Sequence, residues 1–208
     1  MKVKEAYNIW ADRYDTNENK TRDLEAISLR RTLDDIHFES CLEIGCGTGK
    51  NTEWLITKAK YILSIDLSEK MLEKARAKIL SDRVHFVQAD ITTSWDFVAD
   101  HKFDLITFSL VLEHIENLDS VFGNLNKIIA SNGYVYIGEL HPFKQYTGSK
   151  ARFETEGRLN IVTCFDHHIS DFTNTAMRHG FQISDLTEYF DNGDRTAIPR
   201  ILTLLLRK

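Results

Sequence analysis

The chain has 208 residues, enough for one well-buried α/β domain and short for two. Hydrophobic residues make up 42% of it, charged residues 27%, and the formal net charge is −5, so no overall field favours nucleic acid or an anionic membrane. The longest apolar run, Ile201–Leu206, falls far short of the roughly 20 residues of a membrane span. The opening MKVKEAYNIWADRYD lacks the apolar core of a signal peptide, and a cytoplasmic protein is expected. Cys41, Cys46 and Cys164 are odd in number and form no CxxC, which predicts no disulfide framework.

Tyr7, Trp10 and Tyr14 recur every three and four residues, the period of a packed helical stripe, and Leu24–Leu33 is amphipathic. These elements precede the first strand signal, and residues 1–37 are expected to cap the edge of a sheet or its site. Ser40–Ile44 is the first predicted strand and Asn51–Ala59 the helix after it. Tyr61–Ile65 is the second strand. Ser68 is placed as the N-cap of a helix reaching Leu80, with Met71, Leu72, Ala75 and Ile79 on its apolar face. Val84–Val87 and Phe103–Phe108 are the third and fourth strands, the latter apolar enough for the sheet centre. A helix over Leu118–Ala130 is expected to stop at Ser131-Asn132-Gly133, and Tyr134–Gly138 is the fifth strand. Residues 141–168 show no clean period. A helix over Ile169–His179 and strands over Phe181–Tyr189 and Ile198–Leu206 complete the chain.

The alternation of strands and helices predicts one Rossmann-like, doubly wound α/β domain. Its seven-stranded sheet is mostly parallel, with an antiparallel strand at the C-terminus. The expected organisation is a cap (1–37), a cofactor-binding core (38–140), a substrate lid insert (141–168) and a C-terminal helix with two strands (169–208).

In such sheets ligands bind beyond the carboxyl ends of the strands. Gly45-Cys46-Gly47-Thr48-Gly49 stands at the first of these ends, where glycine permits a sharp turn and close approach to a ligand. Cys46 is read as a small residue packed into the loop. Asp66 ends the second strand, 21 residues beyond Gly45, where a carboxylate accepts both ribose hydroxyls of an adenosine group. A dinucleotide fingerprint, G-x-G-x-x-G, would have its third glycine where Lys50 stands. The spacing G-x-G-x-G suits a nucleoside with an amino-acid tail and no phosphate.

CLEIGCGTGKNT resembles motif I of the class I S-adenosylmethionine-dependent methyltransferases. SIDLSEKMLEKAR, VHFVQADI, FDLITFSLVLEHI and GYVYIGELHP resemble their later motifs, in the family's order, and YNIWADRYD resembles the cap of small-molecule members. The resemblance implies S-adenosylmethionine as cofactor and S-adenosylhomocysteine as product. It implies Glu43, Gly45 and Gly47 at the methionine portion with Cys46 in the same cofactor-binding loop, Asp66 on the ribose, and Leu67 and Met71 against the adenine. Asp90 would meet the adenine amino group and Ile91 its ring, although Asp90 also reads as a helix N-cap. Ser109 and Leu110 would lie beside the sulfonium, and Tyr14 would touch the cofactor region.

Methyl transfer is a direct displacement that needs alignment and exclusion of water, and a general base only when the acceptor loses a proton. His141, after strand five, is the candidate base. Arg22, His114, Tyr146 and His167 are candidate acceptor contacts, Arg22 alternatively holding the methionine carboxylate. No tight ligand spacing predicts a metal. The insert from Phe143 to Phe153 is basic and aromatic enough to raise RNA, but three positive charges in an acidic chain favour a lid over a small acceptor. No nucleic-acid or membrane partner is expected, and the chain is expected to be a monomer or homodimer.

Overall fold

The computed structural model describes residues 1–155 and 157–208. Its strands are Ser40–Ile44 (β1), Tyr61–Asp66 (β2), Val84–Gln88 (β3), Phe103–Ser109 (β4), Ile129–Leu140 (β5), Arg152–Thr155 (β6), Arg158–Ile161 (β7), Gln182–Tyr189 (β8) and Ile201–Arg207 (β9). Seven of them make one sheet in the order β3-β2-β1-β4-β5-β9-β8. The first five are parallel neighbours, and β9 runs antiparallel between β5 and β8. Strand order reverses at β1, between β2 and β4, which puts the switch point at the glycine loop. The seven-stranded, mostly parallel sheet is the one the sequence predicts.

The helices are Val3–Tyr14 (α1), Lys20–Leu33 (α2), Thr52–Leu55 (α3), Glu69–Lys78 (α4), Leu118–Ile128 (α5), Pro142–Tyr146 (α6) and Ile169–Arg178 (α7). Alternate residues of the strands feed two cores, as period-two side chains must. Leu42, Ile44, Ile106, Phe108 and Ile137 pack with Phe122, Leu125 and Phe172 of α5 and α7. On the other face Cys41, Ile62, Leu105 and Tyr136 meet Leu29 and Leu33 of α2 and Leu55. A third cluster joins Trp10 of α1 to Phe153 of the β6–β7 hairpin, their rings stacked at 4.9 Å.

Four local expectations change. The helix expected over Asn51–Ala59 is α-helical only over Thr52–Leu55; Thr57 and Lys58 then donate to carbonyls three residues back, the tighter 3₁₀ pattern. The helix before strand five ends at Ile128, because Ile129 already pairs with Phe103 on β4. The left-handed residue after it is Asn132, at φ 63°, rather than Gly133. The final strand starts at Ile201, three residues after the expected Ile198. Among the described residues no helix is long and apolar enough to cross a membrane.

Candidate active site

The glycine loop turns through three left-handed residues, Gly45 at φ 72°, Gly47 at φ 54° and Gly49 at φ 85°. Gly45 and Cys46 donate their N–H groups to the Ile65 carbonyl at 2.8 and 3.0 Å, which ties the loop to the end of β2. A Cβ on Gly45 would lie 2.2 Å from Val111 Cγ2, so only glycine fits. Asp66 completes the join. Its Oδ2 accepts the Gly47 N–H at 2.9 Å and its Oδ1 the Ser68 N–H at 2.8 Å, and burial raises its carboxyl to about 6.

These elements floor a cleft. The tips of β1 to β4 supply Gly45, Gly47, Asp66, Leu67, Asp90, Ile91, Ser109 and Leu110, and α1 closes it with Val3, Lys4, Tyr7 and Tyr14. Asp90 Oδ1 accepts the backbone N–H and hydroxyl of Thr92 at 2.9 and 2.6 Å, capping a turn at the rim. Leu110 is left-handed at φ 58°, held by its N–H to the Gly138 carbonyl at 2.8 Å. Helix α1 is fastened over the cleft: Asn8 Oδ1 accepts the Ser68 hydroxyl at 2.7 Å, and Asp15 Oδ1 the Thr48 hydroxyl at 2.5 Å.

A second cavity adjoins the cleft across Tyr7, Tyr14 and Leu110, which line both. Its lining also carries Arg22, Glu113, Lys150, Arg152 and Arg200. Arg22 lies 3.9 Å above the Tyr14 ring and donates to the carbonyls of Tyr14 and Asn17 at 2.5 and 2.8 Å. Its Nε is buried without a hydrogen-bond partner among the described residues. Arg200 is matched by Asp191, both contacts at 2.5 Å.

Other residues singled out in the sequence stand elsewhere. Glu43 lies beneath the loop, accepting the hydroxyls of Thr52 and Ser64 at 2.5 and 2.7 Å, and burial raises it to about 7. Cys46 and Met71 are buried and line neither cavity. His141 is corrected most. Its Nδ1 accepts the Phe143 N–H at 3.1 Å as the cap of α6, its Nε2 bonds Glu188 at 3.0 Å, and its ring is fully buried away from both cavities. Both nitrogens are engaged, so the geometry makes it a structural cap and not a base. Tyr146 is exposed and bonded to His168 at 2.6 Å; His167 is buried on the Ile115 carbonyl at 2.7 Å. His114 does face the cleft. Val3, Lys4 and Tyr7 are cleft residues that strand-tip reasoning misses; the only available signal was the α1 aromatic stripe.

Residues 42–137, from β1 into β5, match the family model of a methyltransferase domain. Over this stretch, a little under half of its length, the chain is similar to a methyltransferase domain. An uncharacterized methyltransferase of Emericella nidulans is 26% identical over 220 residues, spanning 88% of this chain and 76% of its own. A ubiquinone biosynthesis O-methyltransferase of Thiobacillus denitrificans is 30% identical over 102 residues, 48% of this chain and 44% of its own. A Haemophilus influenzae protein is 28% identical over 145 residues, and the chain spans only 57% of that relative's length. Among solved structures, an S-adenosylmethionine-dependent methyltransferase of Mesorhizobium loti superposes with TM-score 0.74 at 23% identity, over 89% of this chain and 98% of that one. The DhpI–SAH complex superposes with TM-score 0.76 at 21% identity, over 98% and 93%. These structural likenesses concern the fold.

Proposed function

We propose that the chain transfers a methyl group from S-adenosylmethionine to a small-molecule acceptor, in the cytoplasm. The observation that carries this is the junction of Asp66 with the glycine loop at the switch point of the sheet. Each carboxylate oxygen takes one backbone N–H, which leaves lone pairs directed into the cleft for a ribose diol. Ile65, Ala89, Ile91 and Ile115 offer apolar walls for an adenine, with Asp90 at their edge. A pyrophosphate is poorly served: α3 has four residues and Lys50 is paired with Asp23 at 2.5 Å.

The bound cofactor supplies a methyl group on a sulfonium. Gly45 and Gly47 would admit its methionine portion against bare backbone, and Arg22 would meet its carboxylate. Tyr7, Tyr14 and Leu110 stand between the cleft and the second cavity, where donor and acceptor have to meet. Their task is alignment and the exclusion of water, with α1 and the β6–β7 hairpin as cover. Titration calorimetry with S-adenosylhomocysteine tests the reading. Binding in the micromolar range, weakened at least about tenfold by Asp66→Ala through loss of charged hydrogen bonds, is expected. Absence of binding below millimolar would sink it.

A further inference from the structure

Tyr7 and His114 meet in the cleft as a pair whose direction is fixed by the fold. His114 Nδ1 lies 2.8 Å from the carbonyl of Thr163, which accepts only, so the neutral ring carries its proton on Nδ1. Its Nε2 is then the acceptor for the Tyr7 hydroxyl, at 2.9 Å. With its own proton spent on His114, the Tyr7 oxygen keeps lone pairs for a donor on the open side. Of the three residues common to the cleft and the second cavity, Tyr7 alone is coupled to a base. Leu110 has no titratable group, and Tyr14 lies under the Arg22 guanidinium.

The surroundings select what Tyr7 can receive. Tyr14 of α1, Glu113 beside His114, Cys164 of the insert and Asp66 of β2 face it, all groups that become anions on losing a proton. Lys4 of α1 is the cation lining the same cleft. Glu113 is 5% exposed, and its Oε2 is buried without a hydrogen-bond partner among the described residues. Burial holds the protons of Tyr14 and Cys164, both raised to about 12, so these two face Tyr7 as a neutral hydroxyl and thiol. A neutral acceptor bearing O–H or N–H fits these surroundings.

Resting on the methyltransferase reading above, we propose that Tyr7 is the catalytic residue that takes the proton of a hydroxyl or N–H acceptor. His114 is the positioning residue that orients Tyr7 and stores the charge. The acceptor heteroatom gives an electron pair to the methyl carbon, and the carbon–sulfur pair withdraws to sulfur. The acceptor proton passes to Tyr7 Oη as the proton of Tyr7 passes to His114 Nε2. The positive charge of the sulfonium thus reappears on the imidazolium, 3.9 Å from Glu113 Oε1, while Nδ1–H stays on the Thr163 carbonyl. Solvent later removes the proton.

Two readouts test this, one of them independent of turnover. In ¹⁵N-histidine NMR of the protein loaded with S-adenosylhomocysteine, His114 should show the neutral Nδ1–H tautomer with a hydrogen-bonded Nε2. Tyr7→Phe, which keeps the ring on Trp10, should move only Nε2, to its unbonded position. An Nε2–H neutral tautomer would overturn the proposal. In tritium transfer to phenols and alcohols, amines, carboxylic acids and thiols, label should go to the O–H or N–H members. Tyr7→Phe and His114→Gln should each lower kcat by about 100-fold or more, with KM nearly constant. The rise of kcat with pH should vanish in both. Unchanged kcat in the variants, or no transfer to O–H and N–H compounds, would overturn it. Failure to bind S-adenosylhomocysteine would instead remove the methyltransferase reading itself.

Discussion

Gly45→Ala is the most demanding test of the loop geometry, because two separate costs fall on one atom. At φ 72° an alanine is held in the left-handed region, which costs about 1–2 kcal/mol. The new Cβ would also stand 2.2 Å from Val111 Cγ2. Val111 cannot retreat easily: it is β-branched, follows the left-handed Leu110, and its N–H is held by Glu139 Oε1 at 2.9 Å. Overpacking of this kind costs about 1–3 kcal/mol more. The sum, roughly 2–5 kcal/mol, corresponds to a Tm lower by roughly 4–20 °C for a chain of this size. Gly47→Ala is the internal control. It carries a similar backbone cost at φ 54°, but its Cβ would meet nothing nearer than Tyr14 Cε1 at 3.8 Å. Thermal melts of both variants, and of Gly45→Ala combined with Val111→Ala, separate the two costs. The double variant should recover about 1–3 kcal/mol relative to additivity. If Gly45→Ala costs no more than Gly47→Ala and the cycle shows no coupling, the steric argument fails.

Asp66 must be ionised to accept ribose hydroxyls, and burial raises it to about 6. Affinity for S-adenosylhomocysteine should therefore fall as pH drops through about 6, approaching tenfold per unit, and Asp66→Asn should flatten the profile; calorimetry giving a constant Kd between about pH 5 and 8 would count against this. Glu139 is raised from 4.5 to about 8 by burial, so the folded chain holds its proton more tightly than the unfolded chain does. Its stabilising contribution is complete below about pH 4.5 and lost as pH rises through about 8, so Tm should fall across that window. Glu139→Gln keeps an oxygen for the Val111 and Leu112 N–H groups and should show a shallower fall; parallel slopes would refute the assignment. His141→Ala should cost about 0.5–2 kcal/mol in denaturant unfolding, through the lost cap of α6, with affinity for S-adenosylhomocysteine unchanged.

Much of this fold is legible in the sequence because its determinants are local. Period-two strands ending in Gly45, Asp66 and Asp90 mark the carboxyl edge of a parallel sheet, whatever lies around them. The misjudged residues depend on distant partners. His141 ends β5 much as Ser109 ends β4, yet β5 lies one strand further from the switch point and is flanked by antiparallel β9. There its N–H is taken by the Arg200 carbonyl at 2.8 Å and its ring by Glu188, both more than forty residues away. Tyr7, Trp10 and Tyr14 share a helix face by spacing alone, but only the placement of α1 over the cleft puts Tyr7 against His114. The tautomer of His114 is set by Thr163, 49 positions on, in the insert without periodicity.

The distribution of buried acid around the carboxyl edge of the sheet bears on the choice of cofactor independently of the glycine spacing. Glu25, Glu43, Asp66, Glu113 and Glu139 are all raised by burial as the leading cause. Desolvated carboxyls of this kind disfavour a further anion nearby and are relieved by a cation. A pyrophosphate would bring negative charge beside Asp66, and α3, the helix after the glycine loop, has only four residues with which to receive it. A sulfonium brings one positive charge, and its loss on methyl transfer removes the interaction that held it. Asp66, ionised above about pH 6, thus favours binding of the charged donor over its neutral product, so S-adenosylmethionine should bind more tightly than S-adenosylhomocysteine above that pH.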